Sequence, residues 1–196
     1  MTDELEKKLI EKYPKIFADC SKDETVSCMA FGLECGDGWY NLIDILCEAL
    51  TYTYTTSIKI DEEDARACGI EGYTYKDGET LYFYKVESPQ VVAEQVKEKF
   101  GSLRFYYRLE YDPVNLKLAE KYPQLKEDNK RYANFIDGII HFAESASSHT
   151  CEVTGTKGTL CCRGGWLKTL NADLIKSELK YEGYKPYVPS NETQNQ

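Results

Sequence analysis

Residues 151–174, CEVTGTKGTLCCRGGWLKTLNADL, carry thiols at a spacing close to that of a zinc site. A zinc knuckle needs cysteine or histidine ligands in pairs, with about two residues between the members of a pair. Cys151 has Thr154 where its partner would stand. We therefore expect no bound metal in this stretch. The remaining side chains of metal-binding type are vestigial candidates: Cys151, Cys161, Cys162 and His149.

A second group of chemically capable residues lies in ECGDGW, residues 34–39. Its glycines permit a close backbone approach, and the following helix begins with free N–H groups that favour an anion. Glu34, Asp37 and Trp39 are candidate ligand-binding residues on this basis. The alternative is a tight loop in which Asp37 caps the helix and Trp39 anchors the core.

The third group is QVKEKFGSLRFYY, residues 95–107, which concentrates basic side chains in an acidic chain. Arg104 alternates with Leu103 and Phe105, so it should lie on the face of a strand opposite to theirs. An arginine among aromatic side chains can hold a phosphate or a carboxylate. Arg104, Tyr106 and Arg108 are therefore candidate ligand-binding residues, although pairing with a local glutamate would also explain either arginine.

These three stretches together resemble a family of uncharacterised proteins from bacteriophages and prophages. Members of that family look like ECGDGW, then QVKEKFGxLRFY, then a C-terminal CxxCG…RGGWLKTLC knuckle completed by a CxxH pair. The matching segments here are residues 34–39, 95–106 and 151–171. Of the four ligand positions that the resemblance implies, this chain keeps Cys151 and has Thr154, Asn171 and Leu174 at the others. The resemblance implies an accessory role in a virus or mobile element, and no particular activity.

Composition narrows the kinds of partner. The 196 residues carry a formal net charge of −9, which repels phosphate backbones, so non-specific nucleic-acid binding is not expected. The charged N-terminus does not have the pattern of a signal peptide, and no apolar run is long enough for a membrane span. We expect a cytoplasmic protein, in the host cytoplasm if phage-encoded, without a cofactor. In that compartment Cys20, Cys28, Cys35, Cys47 and Cys68 are predicted to be small buried residues.

The pattern of apolar residues predicts an α+β fold, in which several helices pack on a small antiparallel sheet made of the central hairpin and the strand that follows it. Helices are expected at 3–12, 38–50, 114–122 and 126–147. A strand is expected at 102–111, and a strand or an extended loop at 51–60. Asp77-Gly78 predicts a hairpin between aromatic runs. Pro89 and the spacing of Val92, Val96 and Phe100 predict a helix that Gly101 ends.

The chain is expected to form a single domain over residues 1–181. Within it, residues 149–181 should form a degenerate zinc-knuckle-like loop followed by a helix that covers residues 167–180. Residues 182–196 are polar and are predicted to be a disordered tail.

Three functions fit these features. The first is binding of a host protein or a small anionic, nucleotide-like ligand, without catalysis. The second is an enzyme that uses the carboxylates of residues 34–37. The third is an acidic inhibitor that mimics nucleic acid. A cysteine hydrolase is disfavoured because His141 is expected on the core side of its helix, and the oligomeric state is left open.

Overall fold

The structure is a computed structural model that describes residues 1–53 and 55–188. The α-helices are α1 Asp3–Lys12, α2 Tyr40–Leu50, α3 Glu62–Ala67, α4 Pro113–Lys121, α5 Pro123–Ser147 and α6 Ala172–Ser177. The strands are β1 Leu33–Glu34, β2 Thr55–Ile60, β3 Tyr73–Thr74, β4 Thr80–Glu87, β5 Gln90–Lys99, β6 Ser102–Glu110, β7 Thr159–Arg163, β8 Trp166–Leu170 and β9 Lys185–Pro186. None of the helices within these ranges is both long and apolar enough to cross a membrane.

The predicted α+β class is confirmed. The strands form three small sheets, in the orders β1-β5-β6, β2-β4-β3 and β8-β7-β9. Their pairing is antiparallel except between β1 and β5. The hairpin predicted at Asp77-Gly78 is present, with Tyr75 donating its N–H to the carbonyl of Glu79 at 2.8 Å. This hairpin and β6 lie in different sheets.

The largest core lies between the β1-β5-β6 sheet and the helices α2 and α5. Ile43 from α2 and Ile136 from α5 are fully buried against Val96 and Leu103 of the sheet. Both helices lie close to their predicted positions. On α5, however, His141 is exposed, so its predicted position on the core side of the helix is wrong, and Phe135 and Phe142 are exposed as well. The buried side of α5 follows residues 132, 136, 140, 143 and 147.

Residues 90–99 form strand β5, so the helix predicted after Pro89 is wrong. The prediction failed because positions four apart share a face in a strand as well as in a helix, which makes the spacing of Val92 and Val96 ambiguous. A register shift between Ala93 and Gln95 also disrupts the alternation expected of a strand. Phe100-Gly101 is then a two-residue hairpin turn, with positive φ values of 56° and 78°.

The C-terminal segment is also more extended than predicted. Residues 166–170 form strand β8, which pairs with β7 around a Gly164-Gly165 turn, whereas the sequence predicted a helix there. Lys185–Pro186 pair with β7, and Tyr184 is buried beneath Arg163, so residues 182–188 are not a disordered tail. The rest of that predicted tail, residues 189–196, lies outside the described residues.

Arg108 is held by carboxylates, which contradicts its predicted role in binding a ligand. Its guanidinium donates to both carboxylate oxygens of buried Asp19, at 2.6 and 3.1 Å, and to Glu110 at 2.6 Å. The hydrogen bond from Arg108 holds the pKa of Asp19 down at about 2. The pair therefore fastens the 3-10 helix Ala18–Ser21 to the sheet.

Asp19→Asn should lower the free energy of unfolding at pH 7 by about 2 kcal/mol, because the charged hydrogen bonds are lost. The folded pKa of Asp19 is below the ordinary value of 3.8, so its contribution is complete above pH 3.8 and is lost as pH falls toward 2. Urea denaturation of both proteins across this range measures the difference. A difference that stayed constant down to pH 2 would contradict the assignment.

Candidate functional site

The glycine loop, residues 34–39, packs against the C-terminal loop, residues 150–158. Gly38 donates its N–H to the carbonyl of Glu152 at 2.8 Å, and the indole N–H of Trp39 donates to the carbonyl of Thr150 at 2.8 Å. A Cβ on Gly36 or Gly38 would lie 2.3 Å from a carbonyl oxygen of the C-terminal loop. Glycine is needed at both positions because the two backbones touch.

This packing corrects two predictions about the glycine loop. Trp39 is fully buried, so its predicted role in ligand binding is wrong and the alternative, a core anchor, describes it. Asp37 does not cap α2, because its carboxylate accepts the N–H of Thr2 at 2.6 Å. Asp37 nevertheless lines a pocket, which is described below.

The tip of the β5–β6 hairpin is fastened to the same C-terminal region. Thr169 is fully buried and donates its hydroxyl to the carbonyl of Gly101 at 2.6 Å. A Cβ on Gly101 would lie 2.2 Å from the side chain of Leu160. The three stretches singled out in the sequence therefore meet at one place in the fold.

A junction pocket of about 700 Å³ opens where these three stretches meet. Its charged lining residues are the lysines Lys97, Lys168 and Lys180 and the carboxylates Glu34, Asp37, Glu98 and Glu152. The wall of the pocket therefore draws on β1, β5, β8 and the C-terminal loop. Only Glu34 and Asp37 of this set were candidates from the sequence.

A buried ion pair forms one wall of the junction pocket. Glu152, only 5% exposed, accepts the N–H of Gly36 at 3.0 Å and the ammonium of Lys168 at 2.7 Å. Burial lowers the pKa of Lys168, but its hydrogen bond to Glu152 and the nearby carboxylates outweigh burial and raise the pKa overall. Lys168 is therefore a charged structural partner of Glu152.

The other pocket carboxylates also have hydrogen-bond donors. Glu98 accepts the N–H of Gly101 at 2.6 Å, and Glu34 accepts the side-chain amide of Gln95 at 3.2 Å. By contrast, neither Lys97 nor Lys180 has a carboxylate within ion-pair distance in the described part of the chain. Their ammonium groups lie over aromatic rings instead, Lys97 over Tyr106 at 5.7 Å and Lys180 over Tyr181 at 5.3 Å. These two lysine side chains are therefore free of carboxylate partners in the pocket.

Beside the pocket, the outer side of the β1-β5-β6 sheet forms a sheet face of five residues: Glu34, Gln95, Lys97, Arg104 and Tyr106. The register places Glu34 next to Lys97, and Lys97 opposite Arg104. Arg104 is half-buried and donates to the hydroxyl of Ser102 and the carbonyl of Leu103, at 2.8 and 2.7 Å. Arg104, Tyr106 and Glu34, three of the six candidate ligand-binding residues, are therefore neighbours.

Two cations directly opposite each other on paired strands are destabilising. Within the described residues, Lys97 and Arg104 have no ion pair that would offset this repulsion. Tyr106, exposed to 43%, lies beside them with its ring against the Lys97 ammonium. An anion bound between the two cations would relieve their repulsion, and a flat group could stack on the ring.

Two of the buried thiols are unsuited to nucleophilic catalysis. Burial raises the pKa of Cys35 to about 12 and raises that of Cys47 as well, so both stay protonated at neutral pH. Cys28 is exposed, which corrects its predicted burial, and Cys20 and Cys68 are partly buried. His141 and His149 are both exposed, and neither lines the junction pocket.

The C-terminal loop is held together by hydrogen bonds where a zinc knuckle would have ligands. The hydroxyls of Thr154 and Thr156 are 2.7 Å apart, and the Asn171 amide donates to Thr156 and to the Lys157 carbonyl at 3.2 and 3.1 Å. The Asn171 side-chain oxygen accepts the N–H groups of Asp173 and Leu174 and so caps α6. Hydrogen bonds thus join the C-terminal loop to the start of α6.

The four candidates for a vestigial metal site do not come together as one set of ligands. Cys151 and Cys161 are buried in an apolar cluster with Leu174. Cys162 follows Cys161 directly in β7 and so points to the other face of the strand, while His149 is exposed. Within residues 1–53 and 55–188, no group of three or more His, Cys, Asp or Glu side chains is placed to hold a metal ion.

Comparison of the chain with models of protein families, with curated proteins and with solved structures gives no match. The resemblance to a phage family therefore stays a prediction.

Gly38→Ala should lower the free energy of unfolding by about 2 to 3 kcal/mol, because the methyl group would meet the carbonyl of Cys151 at 2.3 Å. Gly138→Ala on α5 is the matched control. Its Cβ has no neighbour within 4 Å, so it should stabilise the helix by up to about 1 kcal/mol. Urea denaturation compares the two, and equal effects would argue against the tight contact.

Asn171→Ala should cost about 1 to 2 kcal/mol of folding free energy, because it removes the cap of α6. Treatment of the wild-type protein with EDTA should leave the melting temperature unchanged, since hydrogen bonds hold this loop. Differential scanning calorimetry measures both effects. A fall in melting temperature after EDTA, restored by zinc, would show that metal holds the loop instead.

Proposed function

We propose that this protein is a phage-type accessory protein that binds a small anionic, nucleotide-like ligand on its sheet face, next to the junction pocket. The observation that carries the proposal is the placement of Lys97 opposite Arg104 without a carboxylate partner, beside the exposed ring of Tyr106. A phosphate group would accept hydrogen bonds from both cations, and a base would stack on Tyr106. Lys180 is a further cation at the pocket.

Binding is a better explanation of this site than catalysis. The alternative enzyme would use Glu34 and Asp37, which do line one pocket. Each of these carboxylates, however, already accepts a hydrogen bond, from Gln95 and from the Thr2 N–H respectively.

Binding of a host protein is a second candidate, and it is favoured by a separate surface. An apolar groove of about 470 Å³ runs between α2 and α5. Its large side chains are unusually exposed, with Ile45 at 66%, Phe135 at 49% and Phe142 at 75%. Contiguous exposed apolar surface of this kind is typical of protein–protein contacts.

Nucleoside mono-, di- and triphosphates should raise the melting temperature of the protein, whereas uncharged nucleosides should have little effect. Arg104→Gln and Lys97→Gln should each weaken nucleotide binding about tenfold, measured by isothermal titration calorimetry. Binding should also weaken with added salt, because the site is open to solvent.

The matched control is Arg131→Gln on α5, an arginine whose side chain is 72% exposed and lies outside the sheet face. This variant should bind nucleotides as the wild-type protein does. The proposal fails if no phosphorylated nucleotide binds, or if Arg104→Gln and Arg131→Gln bind with equal affinity.

A further inference from the structure

Phe100 occupies a backbone conformation that aromatic residues rarely adopt. It is the one non-glycine residue with positive φ, 56°, among the described residues. The first position of a two-residue hairpin turn of this kind favours asparagine, aspartate or glycine. The structure keeps Phe100 there with its side chain 66% exposed, so its ring does not contribute to a core. Backbone strain of this sort tends to be found at functional sites.

A second exposed aromatic residue lies beside Phe100. Trp166, 77% exposed, follows the Gly164-Gly165 turn of the β7–β8 hairpin. Phe100 and Trp166 line the same cleft, of about 470 Å³, between the two hairpin tips. Lys99 also lines this cleft, with its ammonium 5.4 Å from the centre of the Phe100 ring. The cleft thus combines two aromatic side chains with a cation.

The cleft and the sheet face form one continuous strip. Lys97 and Lys99 are two residues apart on β5 and so share a face of the strand. Tyr106 lies opposite Gln95, five residues before Phe100, which corresponds to about 17 Å along the strand. From one end to the other, the strip carries Tyr106, then Lys97 with Arg104, then Lys99, and finally Phe100 with Trp166. Aromatic groups therefore lie at both ends and cations lie between them.

The two carboxylates near the strip each accept a hydrogen bond from a neutral donor and not from a cation of the strip. Glu98, which also lines the cleft, accepts the Gly101 N–H at 2.6 Å, and Glu34 accepts the Gln95 amide at 3.2 Å. Lys97, Lys99 and Arg104 have no carboxylate within ion-pair distance in the described ranges. The cations of the strip are thus available to a ligand.

We infer that this strip binds a short single-stranded oligonucleotide, an inference that rests on the proposed function. Bases stack on Tyr106 at one end and on Phe100 and Trp166 at the other, and the phosphates between them contact Lys97, Lys99 and Arg104. Alternation of stacking platforms with cations is how proteins hold single strands. An acidic peptide would need the cations but not three exposed rings.

The net charge of −9 limits the ligand to a few nucleotides. A long strand would extend past the strip and meet the repulsion of the acidic remainder of the protein. A duplex is disfavoured as well, because its bases are stacked on one another and are not open to the rings.

The test compares thymidine 5′-monophosphate with an oligothymidylate of about four nucleotides, using isothermal titration calorimetry. The oligonucleotide should bind at least tenfold more tightly than the mononucleotide. Trp166→Ala and Phe100→Asn should each weaken oligonucleotide binding about tenfold and leave mononucleotide binding almost unchanged. Phe83→Ala, which removes another exposed ring on β4, should change neither affinity.

Phe100→Asn is the most informative variant, because asparagine favours the backbone conformation of this turn and should raise the midpoint of urea denaturation. Weaker oligonucleotide binding by this more stable protein cannot result from unfolding. If both ligands bind equally and the two variants have no effect, the inference falls while the proposed function stands. If neither ligand binds, both fall. If a polyglutamate peptide displaces the oligonucleotide with equal affinity, the strip is a site for acidic peptides and the inference is overturned.

Discussion

Backbone contact between the glycine loop and the C-terminal loop is the constraint on which the rest of the site depends. The hydrogen bond from Gly38 to the Glu152 carbonyl and the burial of Trp39 bring these two loops together. The Glu152–Lys168 pair then closes one wall of the junction pocket. A buried carboxylate would be costly without these partners, so the pocket and the loop contact stabilise each other.

The hairpin of β5 and β6 connects the contact between the two loops to the proposed ligand site. One side of the hairpin is fully buried at Val96 and Leu103, which fixes the strands against α2 and α5. The other side is thereby held as a rigid surface with Lys97 and Arg104 opposite each other. A rigid support matters because it holds like charges close together before a ligand arrives, which lowers the cost of arranging them on binding.

The sequence predicted those helices and turns that depend only on residues close together in the chain. The α2 and α5 helices and the Asp77-Gly78 hairpin follow from spacing and turn chemistry within short windows. Strand β5 was missed because the spacing of its apolar residues fits both the helical period of about 3.6 residues and the strand period of about 2 residues. Of the candidate ligand-binding residues, Glu34, Arg104 and Tyr106 lie together on one sheet face, whereas Arg108 and Trp39 have structural roles. Glu152, Lys168 and Lys180 were missed because contacts between residues far apart in the sequence leave no local signal.

The wide separation of the two loops along the chain affects how the protein must be made. Gly36 and Trp39 bond to residues that lie 116 and 111 positions later. During synthesis the N-terminal part leaves the ribosome long before its partner exists, so the backbone donors of the glycine loop stay solvated and Trp39 has no finished core to enter. Contacts of such long range slow folding and expose apolar surface in the meantime. Completion of the native structure is therefore a late event, which follows the emergence of the last strands.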